Sequence, residues 1–359
     1  MLLLVLVAYT AGSALPAPLK IRVLQREKPY EAVLEANSVL CDGKELVRPS
    51  VPLTLKDRRI GAADQLCDTV LAEGGITLTV DKKPRHFPGK LSAVAEGSFI
   101  RFINEVEVED YLPSVVSKEA EGSPPAALEV QAVVSRTFAL ASRGRHKEDD
   151  YDLCDLTHCQ LYRGTDEVTP ASDEASKRTR GEVLLWGGIG LKPAFFHAAC
   201  GGATSKTADV FGEGAEGVGP GVSDTGKDGP ACKETPEFKW SFEVERADMA
   251  RGLGLNPEGS SFEALRRDSA GRVLELKTFG KRFRGNEFMS AMGRAFGWQS
   301  IRSMKVTAQE VENVIRFTGT GHGHGVGLCQ NGAKAMAAKG MNRKQILQKY
   351  FPDCQVRVP

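Results

Sequence analysis

The stretch "HKEDDYDLCDLTHCQLYRG", residues 146–164, gathers His146, Cys154, His158 and Cys159 within fourteen residues. Imidazole and thiolate are the preferred ligands of Zn²⁺, which takes four of them in a tetrahedron. Such a set is closed: with four protein ligands there is no open position for catalytic water, so the expected role is structural. His158 and Cys159 are adjacent, and both can ligate only if the backbone turns there. Two other chemistries compete. A redox pair needs two intervening residues, and Cys154 and Cys159 have four between them. A tight Cys154–Cys159 disulfide is the alternative in an oxidising compartment. The two neighbouring histidines favour zinc.

The compartment is read from the first residues, "MLLLVLVAYTAGSALPAPLK". An apolar run from Leu2 to Ala8 passes into small residues, with Ala14 and Ala17 at possible cleavage positions. Residues 1–17 therefore read as a secretory signal peptide, although no Lys or Arg precedes the run. The run is far shorter than the roughly 20 apolar residues of a membrane span. The expectation is an exported protein of the periplasm or cell surface with no transmembrane segment. Lys and Arg number 47 against 46 Asp and Glu, a net charge of +1. That balance supplies no field to steer the chain to nucleic acid. A neutral or mixed-charge molecule held in a groove is the better fit.

The elements that must position the cluster follow from pattern. Residues 18–84 form a β-rich N-terminal segment, with "KIRVL" and "ITLTV" as strands, and "SFIRFINEVEVEDYL" continues in the same style. Ser123-Pro124-Pro125 opens a long helix, "AALEVQAVVSRTFALASRG", with Ser123 as candidate cap and Gly144 as stop. Leu128, Ala132, Ser135 and Ala139 share one face. Arg136 on this helix is suited to anchor a buried carboxylate. "GEVLLWGGIGLKPAFFHAACGG" reads as two strands around a glycine turn, and residues 212–236 as a Gly- and Pro-rich loop. "SFEALRRDSAGRVLELKTFGKRFRGNEFMSAMGRAFGW" reads as helix, hairpin and helix, and two further helices close the chain. Mixed elements without regular βαβ alternation argue an α+β fold.

Four blocks in order resemble the SpoIID/LytB family. They are "EVEVEDYLPSVVSKEAEGSPPAALEVQAVVSRTFAL", "YDLCDLTHCQLYRG", "FFHAACGGATS" and "GTGHGHGVGLCQNGAKAMA". In the last, His322 stands where the family usually has Trp. The resemblance implies a core over residues 85–352, with the β-rich part packed beside it around a substrate groove. It also implies an activity, lytic transglycosylation of peptidoglycan glycan strands, or a partnership with an amidase that the chain stimulates. The family's acid maps to Glu119 in "SKEAEG", with Glu121 as second candidate, because one residue is missing between that Glu and Gln131. Some members carry zinc in the cysteine-histidine block. His324, Gln160 and Gln330 become candidate sugar-binding residues, although a tight turn holding a core histidine explains His324 equally well.

An ordinary glycosidase needs two carboxylates. A lytic transglycosylase works with one, because the sugar's own C6 hydroxyl is the nucleophile. Its acid must hold a proton near neutral pH, which partial burial beside Val115 and Val116 favours and a facing Lys118 amine opposes. Outside the cluster, neighbourhood in sequence suggests disulfides Cys41–Cys67, Cys200–Cys232 and Cys329–Cys354. The resemblance adds that the family often keeps cysteines at positions 200 and 232.

Overall fold

Alternation writes the first strands. In Leu19–Val23 the side chains of Leu19, Ile21 and Val23 are buried while Lys20 and Arg22 are not, the period-2 pattern of a strand with one face on a core. The computed structural model describes residues 17–358 apart from 49, 213, 214 and 216. The signal-peptide reading thus falls outside the described residues, save Ala17. The architecture is mixed, with several sheets and eight helices among the described residues, in keeping with the α+β expectation.

The chain forms two compact units. The first holds the described residues up to Leu184, with Ile189–Leu191 and residues 356–358; the second holds Leu185–Gly188 and Lys192–Gln355. The expected break at residues 84/85 is crossed by the strand Lys83–Phe87. Just beyond it, Lys90–Glu96 pairs antiparallel with Thr69–Glu73, so both sides of that break belong to one sheet.

In the first unit, one sheet has seven strands and another six. Leu19–Val23 lies in the first, paired antiparallel with Phe99–Val106. On its other side the two-residue strand Leu153–Cys154 adds in parallel, Arg22 opposite Cys154. The cysteine block is therefore the edge of a rigid sheet. A disulfide joins Cys41 and Cys67.

Three helices complete this unit: α1 (Val108–Glu119), α2 (Pro125–Ala141) and α3 (Pro170–Arg178). The first corrects the sequence reading, which left residues 107–119 without a helix. Val108, Leu112, Val115 and Glu119 recur at helical spacing, but Pro113 inside the run hid the pattern. In α2, Ala127 to Ala139 are buried without interruption, so this helix is central rather than one-faced. Its N-cap is Pro124, not Ser123, and no side chain caps it. Arg136 anchors a carboxylate as expected: its guanidinium, 1% exposed, forms a two-pronged pair with Glu109 at 2.8 and 2.8 Å.

The second unit contains α4 (Thr207–Phe211), α5 (Arg246–Gly252), α6 (Gly285–Phe296), α7 (Gln330–Ala338) and α8 (Arg343–Tyr350). Its apolar core gathers Met249, Leu276, Phe288, Met292, Ile315 and Phe317. The helix expected near "SFEALRRDS" is instead the strand Glu263–Arg267, paired with Val273–Thr278. All five of its residues are exposed, so edge pairing overrides the helix-forming Glu, Ala, Leu and Arg.

Candidate functional site

Glu119 is the last residue of α1 and is half-buried, whereas Glu121 is exposed in the turn that follows. Glu119 Oε1 accepts the backbone N–H of Leu161 at 2.8 Å. The segment that supplies this N–H is laced to α1 along its length. Arg163 N–H donates to Ser114 Oγ at 3.0 Å, and the Tyr111 hydroxyl donates to Gln160 Oε1 at 3.0 Å. Tyr162 donates to Asn104 Oδ1 at 2.7 Å. Val115 and Val116 are fully buried. Lys118 forms an ion pair with Glu167, so its amine is already matched to a carboxylate other than Glu119.

The cysteine-histidine block lies directly upstream of Leu161. One ligand atom each from His146, Cys154, His158 and Cys159 lies within 4.8 Å of all the others. His146 Nε2 is 3.4 Å from Cys159 Sγ, and His158 Nδ1 is 3.6 Å from Cys159 Sγ and 3.9 Å from Cys154 Sγ. A tetrahedron with Zn–S of about 2.3 Å and Zn–N of about 2.0 Å has edges of roughly 3.3–3.8 Å, so the donor set fits that ion. The backbone does turn at His158 and Cys159, with the Cys159 N–H bonded to Leu156 O. Cys154 and Cys159 are both free thiols, and no bridge joins them. The hydrogen bond from Cys159 pulls the Cys154 thiol down, while Cys159 is pushed up by the same partner and by burial.

The proposed sugar ligands fare differently. Gln160 is fully buried, and its amide is committed to Tyr111 and to the carbonyl of Ser135, so it fastens α1 and α2 rather than facing a sugar. Gln330 is half-buried and opens α7. His324 lies among Phe195, Phe211 and His197, with ring centroids 5.3–5.9 Å away. Its Nδ1 accepts the N–H of Val326 at 3.0 Å, the tight-turn arrangement. Burial pulls it down to about 4, with the Arg272 guanidinium adding to the effect. Gly325, at φ +79°, is needed because a Cβ there would lie 2.1 Å from the Arg272 guanidinium. An open cavity of about 860 Å³ in the second unit is lined by Trp240, Arg267, Arg302 and Lys305 among others, and none of the expected sugar ligands borders it.

The cysteine pairings of the second unit need correction. Cys329 lies with Cys200, Cys232 and Asp224, their ligand atoms all within 4.8 Å of one another, and Cys354 is a separate free, buried thiol. Cys200 and Cys232 are neighbours, with sulfurs 3.7 Å apart, but unbonded. Sequence reasoning missed this gathering because Asp224 sits in a Gly-rich loop and Cys329 is remote in sequence. The available signal was that Cys200, Cys232 and Cys329 all stand within three residues of a glycine.

Residues 96–186 match the family model SpoIID, described as stage II sporulation protein, a segment that contains both Glu119 and the whole cysteine-histidine block. Stage II sporulation protein D of Bacillus subtilis is 24% identical over 272 residues, 71% of this chain and 75% of that protein. A protein of Brachyspira hyodysenteriae is 28% identical over 265 residues, covering 73% of this chain and 70% of its own length. The amidase enhancer of Bacillus subtilis is 25% identical over 269 residues, which span 63% of this chain but 37% of that longer protein. The resemblance to the SpoIID/LytB family drawn from the motifs therefore holds, and residues 96–186 are the segment that the family model matches.

Proposed function

We propose that this chain is an exported cell-wall protein that cleaves peptidoglycan glycan strands as a lytic transglycosylase, with Glu119 as its acid and base. The observation that carries this reading is the placement of Glu119: half-buried at the end of α1 and gripped by the Leu161 N–H, within the SpoIID segment. The protonated carboxyl gives its proton to the glycosidic oxygen as the bond from MurNAc C1 breaks. The carboxylate then takes the proton of that sugar's C6 hydroxyl, and O6 closes on C1. The carboxyl ends as it began, no water is consumed, and the product is a 1,6-anhydro end. Proximity of the internal nucleophile stands in for the second carboxylate of an ordinary glycosidase.

His146, Cys154, His158 and Cys159 would hold Zn²⁺, whose contribution is to cross-link the turn after α2. Cys154 belongs to the sheet edge and Cys159 lies two residues before Leu161, so the four side chains fix the register of the N–H that positions Glu119. The amides of Leu161 and Arg163 stay committed to Glu119 and Ser114 of α1 throughout.

A second reading is favoured by the likeness to the amidase enhancer: a non-catalytic wall-binding protein that stimulates an N-acetylmuramoyl-L-alanine amidase. Incubation of the purified chain with peptidoglycan, alone and with an added amidase, separates the two. New sugar ends from the chain alone support the transglycosylase. Stimulated peptide release with no new sugar ends supports the enhancer.

A further inference from the structure

The second unit brings four potential ligands to one buried point. Cys200 follows the strand Phe196–His197, Asp224 and Cys232 flank the small hairpin Thr225–Gly226/Gly229–Pro230, and Cys329 is the N-cap of α7. All four are buried, Cys200, Cys232 and Cys329 completely. Cys200 Sγ is 3.1 Å from Asp224 Oδ2 and 3.7 Å from Cys232 Sγ. A tetrahedron with Zn–S of about 2.3 Å and Zn–O of about 2.0–2.2 Å has edges of roughly 3.5–3.8 Å, close to this spacing.

The surroundings are those of thiolates rather than of thiols packed as apolar filler. Backbone N–H groups point at the sulfurs: Gly202 at Cys200 Sγ (3.3 Å), and Cys200 and Gly332 at Cys329 Sγ (3.2 and 3.3 Å). The other carboxylate oxygen of Asp224 accepts the Tyr350 hydroxyl at 2.9 Å, the kind of outer partner that orients a ligating carboxylate. Gly332 is required for this approach, since a Cβ there would lie 2.1 Å from the Tyr350 hydroxyl and 2.6 Å from Asp224 Oδ2. Arg272 donates to the carbonyls of Cys200 and Ala203, and Lys305 to that of Gly201. Three thiolates and a carboxylate around a dication leave two negative charges, and these two cations stand one peptide away from them.

We propose that Cys200, Asp224, Cys232 and Cys329 form a second zinc site, structural and closed, which staples the hairpin and α7 to the strand Phe196–His197. A Cys200–Cys232 disulfide would occupy two of the donors and leave the Asp224 carboxyl and the Cys329 thiol buried beside it without the ion that their convergence accommodates. Three sulfurs with one oxygen suit Zn²⁺ better than the hard cations Mg²⁺ and Ca²⁺, which take oxygen ligands. The proposal stands whether or not the chain cleaves glycan strands.

The test counts zinc by native mass spectrometry on the full chain purified without chelator. Wild type should carry two zinc ions per chain, Cys232→Ser one, Cys154→Ser one and the double variant none. Tyr350→Phe, which removes only the outer hydrogen bond and keeps the ring, should hold both ions but lose one to a competing chelator roughly 10–100-fold more readily than wild type. This variant keeps the proposal testable if Cys232→Ser does not fold. One zinc per chain that survives Cys232→Ser, a Cys200–Cys232 link in non-reducing peptide maps, or unchanged chelator competition in folded Tyr350→Phe would each overturn the proposal.

Discussion

Leu161 donates its backbone N–H to Glu119 Oε1 at 2.8 Å, and Leu161 lies two residues beyond Cys159. The acid at the end of α1 is thereby held by the segment that the cysteine-histidine block ends in. The ligand cluster and the carboxylate are one assembly, although the fully extended chain between Glu119 and Leu161 would reach about 140 Å.

Disrupting the block should therefore reach Glu119. Cys154→Ser is expected to lose one zinc ion per chain and to loosen residues 154–163, since the energy of binding structural zinc is folding energy. Hydrogen exchange should quicken at the Leu161 amide. Unchanged protection at Leu161 in the zinc-depleted variant would contradict the coupling.

Arg136 and Glu109 form a buried, two-pronged pair, with Arg136 also donating to the carbonyls of Glu182 and Ser176. Removing one partner leaves the other charge uncompensated, which typically costs about 3–5 kcal/mol. Glu109 is 15% exposed at its side chain, so Glu109→Gln is expected at the lower end. Chemical denaturation should find a loss of about 3 kcal/mol, and a loss under about 1 kcal/mol would count against the pair as an anchor.

The Cys41–Cys67 disulfide spans 26 residues within the β-rich part of the first unit. Loop-closure entropy for that span gives about 3.5 kcal/mol. The Cys41→Ala, Cys67→Ala double variant should lose that amount of unfolding free energy in chemical denaturation, while the zinc content and glycan cleavage of the folded protein stay as in wild type.

Burial holds His324 down to about 4 and His197 well below its ordinary value of 6.5. In the unfolded chain both take up protons near 6.5. Between about pH 6.5 and 4 the unfolded state binds more protons, so stability is full above 6.5 and declines as pH falls through that window. One such group contributes a slope of up to about 1.4 kcal/mol per pH unit. His324→Asn, which can still accept the Val326 N–H, should flatten the decline. A wild-type stability that stays level from pH 7 to 4.5 would refute it.

What the sequence made legible was local. Period-2 alternation found Leu19–Val23 and Ile76–Val80, and the proline start and buried small residues found α2. The ligand spacing in residues 146–159 was readable because its members are neighbours in the chain. What stayed hidden was long-range. Pro113 disguised α1, so nothing in local pattern placed Glu119 at a helix end. Gln160 has the chemistry of a sugar ligand, and only the positions of Tyr111 and Ser135 show that its amide is used internally. The second cysteine cluster draws on residues up to 129 positions apart, and nothing in local pattern ties Cys200 to Cys329. The strand Glu263–Arg267 formed against its own helix propensity because Val273–Thr278 offered it an edge.

The most direct test of the central claim is the mass of the glycan ends produced by wild type and by Glu119→Gln. Gln keeps the shape of Glu119 and can accept the Leu161 N–H, but it cannot deliver a proton. General acid and base catalysis is worth roughly 10²–10⁴-fold, so cleavage should fall at least about a hundredfold in a variant that folds and binds zinc as wild type does. Wild type should release MurNAc ends about 18 Da lighter than hydrolysed ones, without ¹⁸O from labelled water, because the ring oxygen is the sugar's own. Ends that incorporate ¹⁸O, or cleavage that survives Glu119→Gln, would contradict the account.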